Sequence, residues 1–142
     1  MLAFGEQQPY NIPMPKENRL RVIIEAYATP DRYEIKVAFA LLDYFGSNII
    51  LRKSGQSYSP DLLIQKTNQL WEIKNIRGNS VNTIEHNLAK AKMQSGNIII
   101  SLYRTKMTPH RAIGRIKAEL KKRRDIKRLI LLTKDHKIIE IK

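Results

Sequence analysis

A chain of 142 residues, 42% hydrophobic and without cysteine, is long enough for one well-packed domain and too short for two. The missing cysteines exclude disulfides, thiolate nucleophiles and cysteine-based zinc sites, and no segment approaches the roughly 18 consecutive apolar residues of a membrane span, so no membrane partner is expected. The formal charge of +13 is lopsided, with ten Lys/Arg against nine Asp/Glu in residues 1–86 and sixteen against four in residues 87–142; such asymmetry points to a polyanionic partner, most commonly nucleic acid.

Residues 1–15, MLAFGEQQPYNIPMP, hold Pro9, Pro13 and Pro15 but no basic start or unbroken apolar stretch. They read as a leader or linker rather than a signal peptide. Residues 16–142 are then a single domain, its basic part running from residue 104 to 142. In KENRLRVIIEAYA (16–28), Leu20, Ile23, Ile24 and Tyr27 fall at helical spacing and predict a first helix that Thr29-Pro30-Asp31 ends. A second helix follows in DRYEIKVAFALLDYFG, where positions 34, 38, 41, 42 and 45 share a face and Gly46 suits the left-handed residue past its end. Glu34 sits one turn before that apolar stripe, where a surface carboxylate is not expected.

SNIILRK (47–53) predicts a short strand and KSGQSYSP a loop. DLLI and QLWEI, separated by QKTN, predict a β-hairpin, and IRGNSVN a turn. Thr83 to Ser95 predicts a helix with Ile84, Leu88 and Ala91 inside and His86, Lys90 and Gln94 on or near the other side, closing at Gly96. NIIISLY is a buried strand. Thr108-Pro109 has the form of an N-cap with proline at the first helical position, opening a helix over 109–124 with Ile113, Ile116 and Leu120 inside. KRLILL and KIIEIK around TKDH complete the chain as a strand pair. The order ααβββαβαββ makes an α/β fold, a mixed β-sheet flanked by helices.

Acid-x-Lys triplets occur six times, so the pattern alone means little. E34-I-K36 and E119-L-K121 fall on predicted helices and read as surface charge. In the C-terminal strand pair Glu140 faces Leu129 or Ile130, and Asp125 lies beyond the partner strand. Only E72-I-K74 meets a second carboxylate: a turn centred on Lys66 and Thr67 sets Asp61 directly across from Glu72, with Lys74 on the same face. Trp71 and Ile73 point the other way, with Leu62 and Ile64. Like charges placed opposite each other destabilise a sheet unless a cation lies between them. The hard oxygens of Asp61 and Glu72, with the backbone carbonyl of Ile73, suit Mg2+ or Mn2+, and Glu34 supplies a third carboxylate. The histidines, His86, His110 and His136, lack ligand spacing.

Pro60-Asp61 and Glu72-x-Lys74 after a short hairpin, a preceding helix bearing Glu34, and a following helix leading into a buried strand resemble the PD-(D/E)XK nuclease superfamily over residues 32–103. The resemblance implies an αβββαβ restriction-endonuclease-like core, with an extra N-terminal helix and a C-terminal αββ. It implies Mg2+-dependent phosphodiester hydrolysis, with Glu34, Asp61, Glu72 and Ile73 at the metal, Lys74 beside the attacking water, and Gln94 near the active site. Within that superfamily, VAFALLDYFG, PDLLI, WEIKNI and MQSGNIIISL look like the C-terminal tRNase toxin domains of contact-dependent growth inhibition proteins. That likeness implies tRNA as substrate, a cognate immunity protein as partner, and action in the cytoplasm of a target bacterium. Holliday junction resolvases are similarly small and basic, which keeps a DNA substrate open. A non-catalytic nucleic-acid-binding module is the other alternative. Arg111, Arg115, Lys117, Lys121, Lys122, Arg123 and Arg124 on the basic helix are the expected phosphate contacts, which position more than they specify. Tyr58, Trp71 and Tyr103 are candidates for base stacking.

Overall fold

The computed structural model describes residues 19–53, 60–80 and 82–142; the expected leader and Tyr58 lie outside them. Among the described residues the elements run β1 (Val22–Ile24), α1 (Arg32–Phe45), β2 (Ile49–Leu51), β3 (Leu62–Ile64), β4 (Gln69–Asn75), α2 (Thr83–Ala91), β5 (Asn97–Ser101), α3 (Pro109–Leu120), β6 (Arg128–Leu132) and β7 (Ile138–Glu140). The seven strands lie side by side in chain order in one mixed sheet. β1 and β2 are parallel, β2–β3 and β3–β4 antiparallel, β4–β5 and β5–β6 parallel, and β6–β7 antiparallel.

Alternation along the strands builds a core on each face of the sheet. Leu62, Ile64, Trp71, Ile73, Ile99 and Ile130 pack with Val37, Ala38 and Leu41 of α1. Ile98, Ile100, Leu129 and Leu131 pack with Ile84 and Leu88 of α2 and Ala112 and Ile116 of α3. No helix of the described residues is long and apolar enough to cross a membrane.

The helix expected over 16–28 is not formed in its described part: Val22–Ile24 is a strand. Three consecutive β-branched residues favour extended backbone, and the parallel pairing of Val22, Ile23 and Ile24 with Ile49, Ile50 and Leu51 captures it. The helical stripe had no core to meet, since Ile24 and Tyr27 are 50% and 86% exposed. Tyr27, at φ 67°, turns the chain away. Both later helices end a turn early. α2 stops at Ala91 rather than Ser95, and α3 at Leu120 rather than residue 124, so Lys121 to Arg124 lie in the turns leading to β6.

Candidate active site

Local sequence sets the hairpin. Residues 65–68 form the turn, with Asn68 at φ 60°, and the pairs Leu62–Trp71, Leu63–Leu70 and Ile64–Gln69 follow from it. One step further along the same register, Asp61 comes opposite Glu72. Asp61 is held from two sides: its carbonyl accepts from the Arg52 N–H at 2.9 Å, and Oδ2 accepts from the Ile73 N–H at 3.0 Å. In an extended strand the N–H and C=O of one residue leave toward the same neighbour, so the Ile73 carbonyl turns toward Asp61 as well.

Glu72 is only 2% exposed. Lys74 Nζ lies 3.1 Å from its Oε2, while Oε1 is buried and no donor among the described residues reaches it. Burial, and then the charge of Asp61, push the Glu72 carboxyl up to about 8 against the pull of Lys74. Burial raises Asp61 too, opposed by the Ile73 N–H. Because that N–H favours the charged form of Asp61, Glu72 is the member that keeps a proton near neutrality. The pair is satisfied only when one carboxyl is protonated or a cation sits between them.

Glu34 approaches from the first turn of α1, where it has a local reason to be. Asp31 caps the helix by accepting from the N–H groups of Tyr33 and Glu34, both at 2.8 Å. Glu34 Oε1 accepts from the Asp31 N–H at 2.9 Å, completing a capping box. Glu34 is raised by burial, with Asp61 and Asp31 adding repulsion and Lys74 opposing it. With Asp61, Arg52, Thr29, Pro30 and Leu51 it lines a cavity of about 20 Å³, room for about one water-sized occupant. Asp61 is thus shared between the Glu72 pair and the Glu34 cavity. Among the described residues no group of three His, Cys, Asp or Glu converges to hold a metal ion. Two carboxylates with a carbonyl still fit Mg2+, which keeps most of its waters; the unreached Glu72 Oε1 is the observation that favours such an occupant.

The structure therefore joins Glu34 to Asp61 across the small cavity and sets Asp61, Glu72, Ile73 and Lys74 side by side on the hairpin, without the three carboxylates converging on one point. Gln94 lies in the turn after α2, its backbone N–H bonding the Ala91 carbonyl; the adjoining Ser95 and Asn97 side chains donate to the carbonyl of Leu70, two residues before Glu72 on β4. Arg111 and Lys117 are exposed on α3 and Arg115 is half-buried there, while Lys121, Lys122 and Arg124 are exposed beyond its end. Arg123 instead turns inward, its Nε 3.3 Å from Oε1 of Glu119, which also faces Lys122 at 3.7 Å. Glu119 is 2% exposed, so its reading as surface charge is corrected. Ending α3 at Leu120 carries Arg123 back over the helix, where the inward carboxylate meets it. Trp71 is buried among α1 residues; His86 and Lys90 are exposed on α2. Two neighbours have no place in the sequence-based site. Arg52 carried no motif, whereas Asp31 was legible as Asp-x-x-Glu, the sign of a capping box.

The family model described as the contact-dependent growth inhibition CdiA C-terminal domain matches residues 58–138, more than half the chain. That stretch contains Asp61, Glu72 and Lys74, and Glu34 precedes it. The fold is similar to that of a chain in the CdiA-CT/CdiI toxin and immunity complex from Burkholderia pseudomallei, with a TM-score of 0.63 and 16% identity over 86% of this chain and 98% of that one. No curated protein matches the sequence.

Proposed function

This chain belongs to the CdiA C-terminal toxin domains of contact-dependent growth inhibition, and we propose that it is a metal-dependent nuclease of the PD-(D/E)XK type that hydrolyses phosphodiester bonds, tRNA being its favoured substrate. The observation that carries this reading is the buried Glu72, its Oε1 unreached by any donor, set opposite Asp61 with Lys74 at 3.1 Å. A surface hairpin has no need to bury two carboxylates against each other, since the repulsion works against folding.

Asp61, Glu72 and the Ile73 carbonyl would hold Mg2+ or Mn2+, with Glu34 reaching it through water. When bound, the ion supplies Lewis-acid neutralisation of a phosphoryl oxygen and a water of lowered pKa. Lys74 orients that water and stabilises charge on the phosphate. The Ile73 N–H fixes the Asp61 carboxylate in its acceptor orientation, and the Asp31–Glu34 capping box fixes the helix turn that delivers Glu34. Arg52, beside Asp61 in the small cavity, offers a cation that a developing phosphate charge can use. The similar Burkholderia pseudomallei chain belongs to a toxin and immunity complex, and a cognate immunity protein is accordingly proposed as this chain's partner, with the target-cell cytoplasm as the place of action.

The test is parallel incubation of the protein with total tRNA, single-stranded RNA, branched DNA and plasmid, each with Mg2+, Mn2+ or EDTA. Cleavage of tRNA with Mg2+ that EDTA abolishes is the expected result. Undiminished cleavage in EDTA overturns the mechanism, and cleavage of branched DNA alone replaces the substrate by the resolvase reading. Binding without cleavage under every condition makes the chain a non-catalytic module.

A further inference from the structure

A second cluster of chemistry-bearing side chains lies at the carboxyl end of β5, outside the carboxylate site. Arg32, Tyr33 and Lys36 come from the first turns of α1, Tyr103 and Arg104 from the segment after β5, and His136 from the β6–β7 turn. Lys36 Nζ stands 4.4 Å from the centre of the Tyr103 ring. The guanidinium carbons of Arg104 and Arg32 lie 4.6 and 4.9 Å from the centre of the Tyr33 ring. His136, at φ 66°, places Nδ1 2.7 Å from the Tyr103 hydroxyl and so anchors that ring. Arg32, Tyr33, Lys36 and Tyr103 line a cleft of about 440 Å³.

These three cations are held by aromatic faces and not by carboxylates: among the described residues none of Arg32, Lys36 and Arg104 forms an ion pair. A ring face orients a cation through its quadrupole without cancelling its charge, whereas a carboxylate cancels it. The cleft therefore presents fixed, unneutralised positive charge, which suits a phosphodiester backbone and planar bases. Its place is also informative. The carboxyl ends of parallel strands are where open α/β sheets take ligands, and Tyr33 of the cleft and Glu34 of the carboxylate cluster are consecutive residues.

We propose that this cleft binds a nucleotide phosphate next to the scissile one, with Lys36, Arg104 and Arg32 as phosphate contacts and Tyr103 as the residue that positions Lys36. That the neighbouring phosphate is scissile rests on the nuclease reading; that the cleft binds a phosphate rests on its own geometry. RNA and DNA share this chemistry, so both are used as probes.

The experiment measures fluorescence anisotropy of labelled single-stranded RNA and DNA of one sequence, in EDTA, across a salt series. It compares the wild-type chain with K36Q/R104Q and with K127Q/K142Q, which removes equal charge at the opposite end of the sheet, where Lys127 and Lys142 flank the start of β6. K36Q/R104Q is expected to weaken binding about tenfold and to lower the slope of log K against log salt by about 1.4, two contacts at about 0.7 each; K127Q/K142Q should change both much less. The exposed single variant K36E should weaken binding as well, which separates lost contacts from lost folding. Loss on either strand or both supports the cleft and says which it takes. Equal losses in the two double variants, no loss in K36Q/R104Q, or no binding by the wild-type chain overturns it. A wild-type chain that cuts nothing with Mg2+ yet loses binding in K36Q/R104Q sinks the nuclease reading and leaves the cleft standing. Cleavage with binding indifferent to K36Q/R104Q does the reverse.

Discussion

Glu72 and Asp61 meet because a hairpin turn fixes the register of two short strands, and their burial beside each other makes that meeting costly when both are charged. Both carboxyls are raised, Glu72 to about 8 from its ordinary 4.5. The folded chain therefore binds more protons than the unfolded chain between those values, and without divalent ions stability falls as pH rises from 4.5 toward 8. Glu72→Gln mimics the protonated acid. In EDTA at pH 8 its melting temperature should exceed that of the wild-type chain by about 4 °C or more, with the difference closing near pH 4.5; equal melting at both pH values would contradict the buried repulsion. Mg2+ should raise the wild-type melting temperature and leave Glu72→Gln nearly unmoved. Asp61→Ala should lower cleavage at least about a hundredfold, measured as single-turnover rate, while retaining nucleic-acid binding. This pair was legible in the sequence since strand alternation and a four-residue turn are local. What escaped was Arg52, which reaches the cluster only because β2 lies beside β3.

At the scale of elements, α1 shows one short segment serving two ends. Asp31 and Glu34 cap each other and thereby hold the turn that carries Glu34 inward and Tyr33 and Lys36 toward the second cleft. Asp31→Ala should cost about 1 kcal/mol in urea unfolding, the usual loss for an N-cap, and should also lower cleavage, because Glu34 loses its anchor. α3 separates two kinds of basic residue that look alike in sequence. Glu119→Ala leaves the Arg123 guanidinium, whose side chain is 15% exposed, without its partner and should destabilise by about 2 kcal/mol. Lys121→Ala, on an exposed turn, should stay within about 0.5 kcal/mol. Equal effects of the two would refute the inward reading of Arg123. The helix expected over 16–28 shows why periodicity misled: four apolar residues at helical spacing need a surface to bury them, and β2 offered backbone pairing instead.

For the whole molecule, a net charge of +13 arranged around a two-faced core suits a domain whose partners are polyanions. Nucleic-acid binding should therefore weaken linearly in log K with log salt. Charge balance, the absence of cysteine, the αβββαβ run from α1 to β5 and the Asp61–Glu72 register were determined by the sequence itself, because each depends on composition or on residues close along the chain. Tertiary structure alone decided that Val22–Ile24 joins the sheet, that Glu119 turns inward with Arg123, and that Tyr33 and Tyr103 gather cations beside them. Those outcomes depend on which strand lies next to which, and long-range adjacency leaves no periodic trace along the chain.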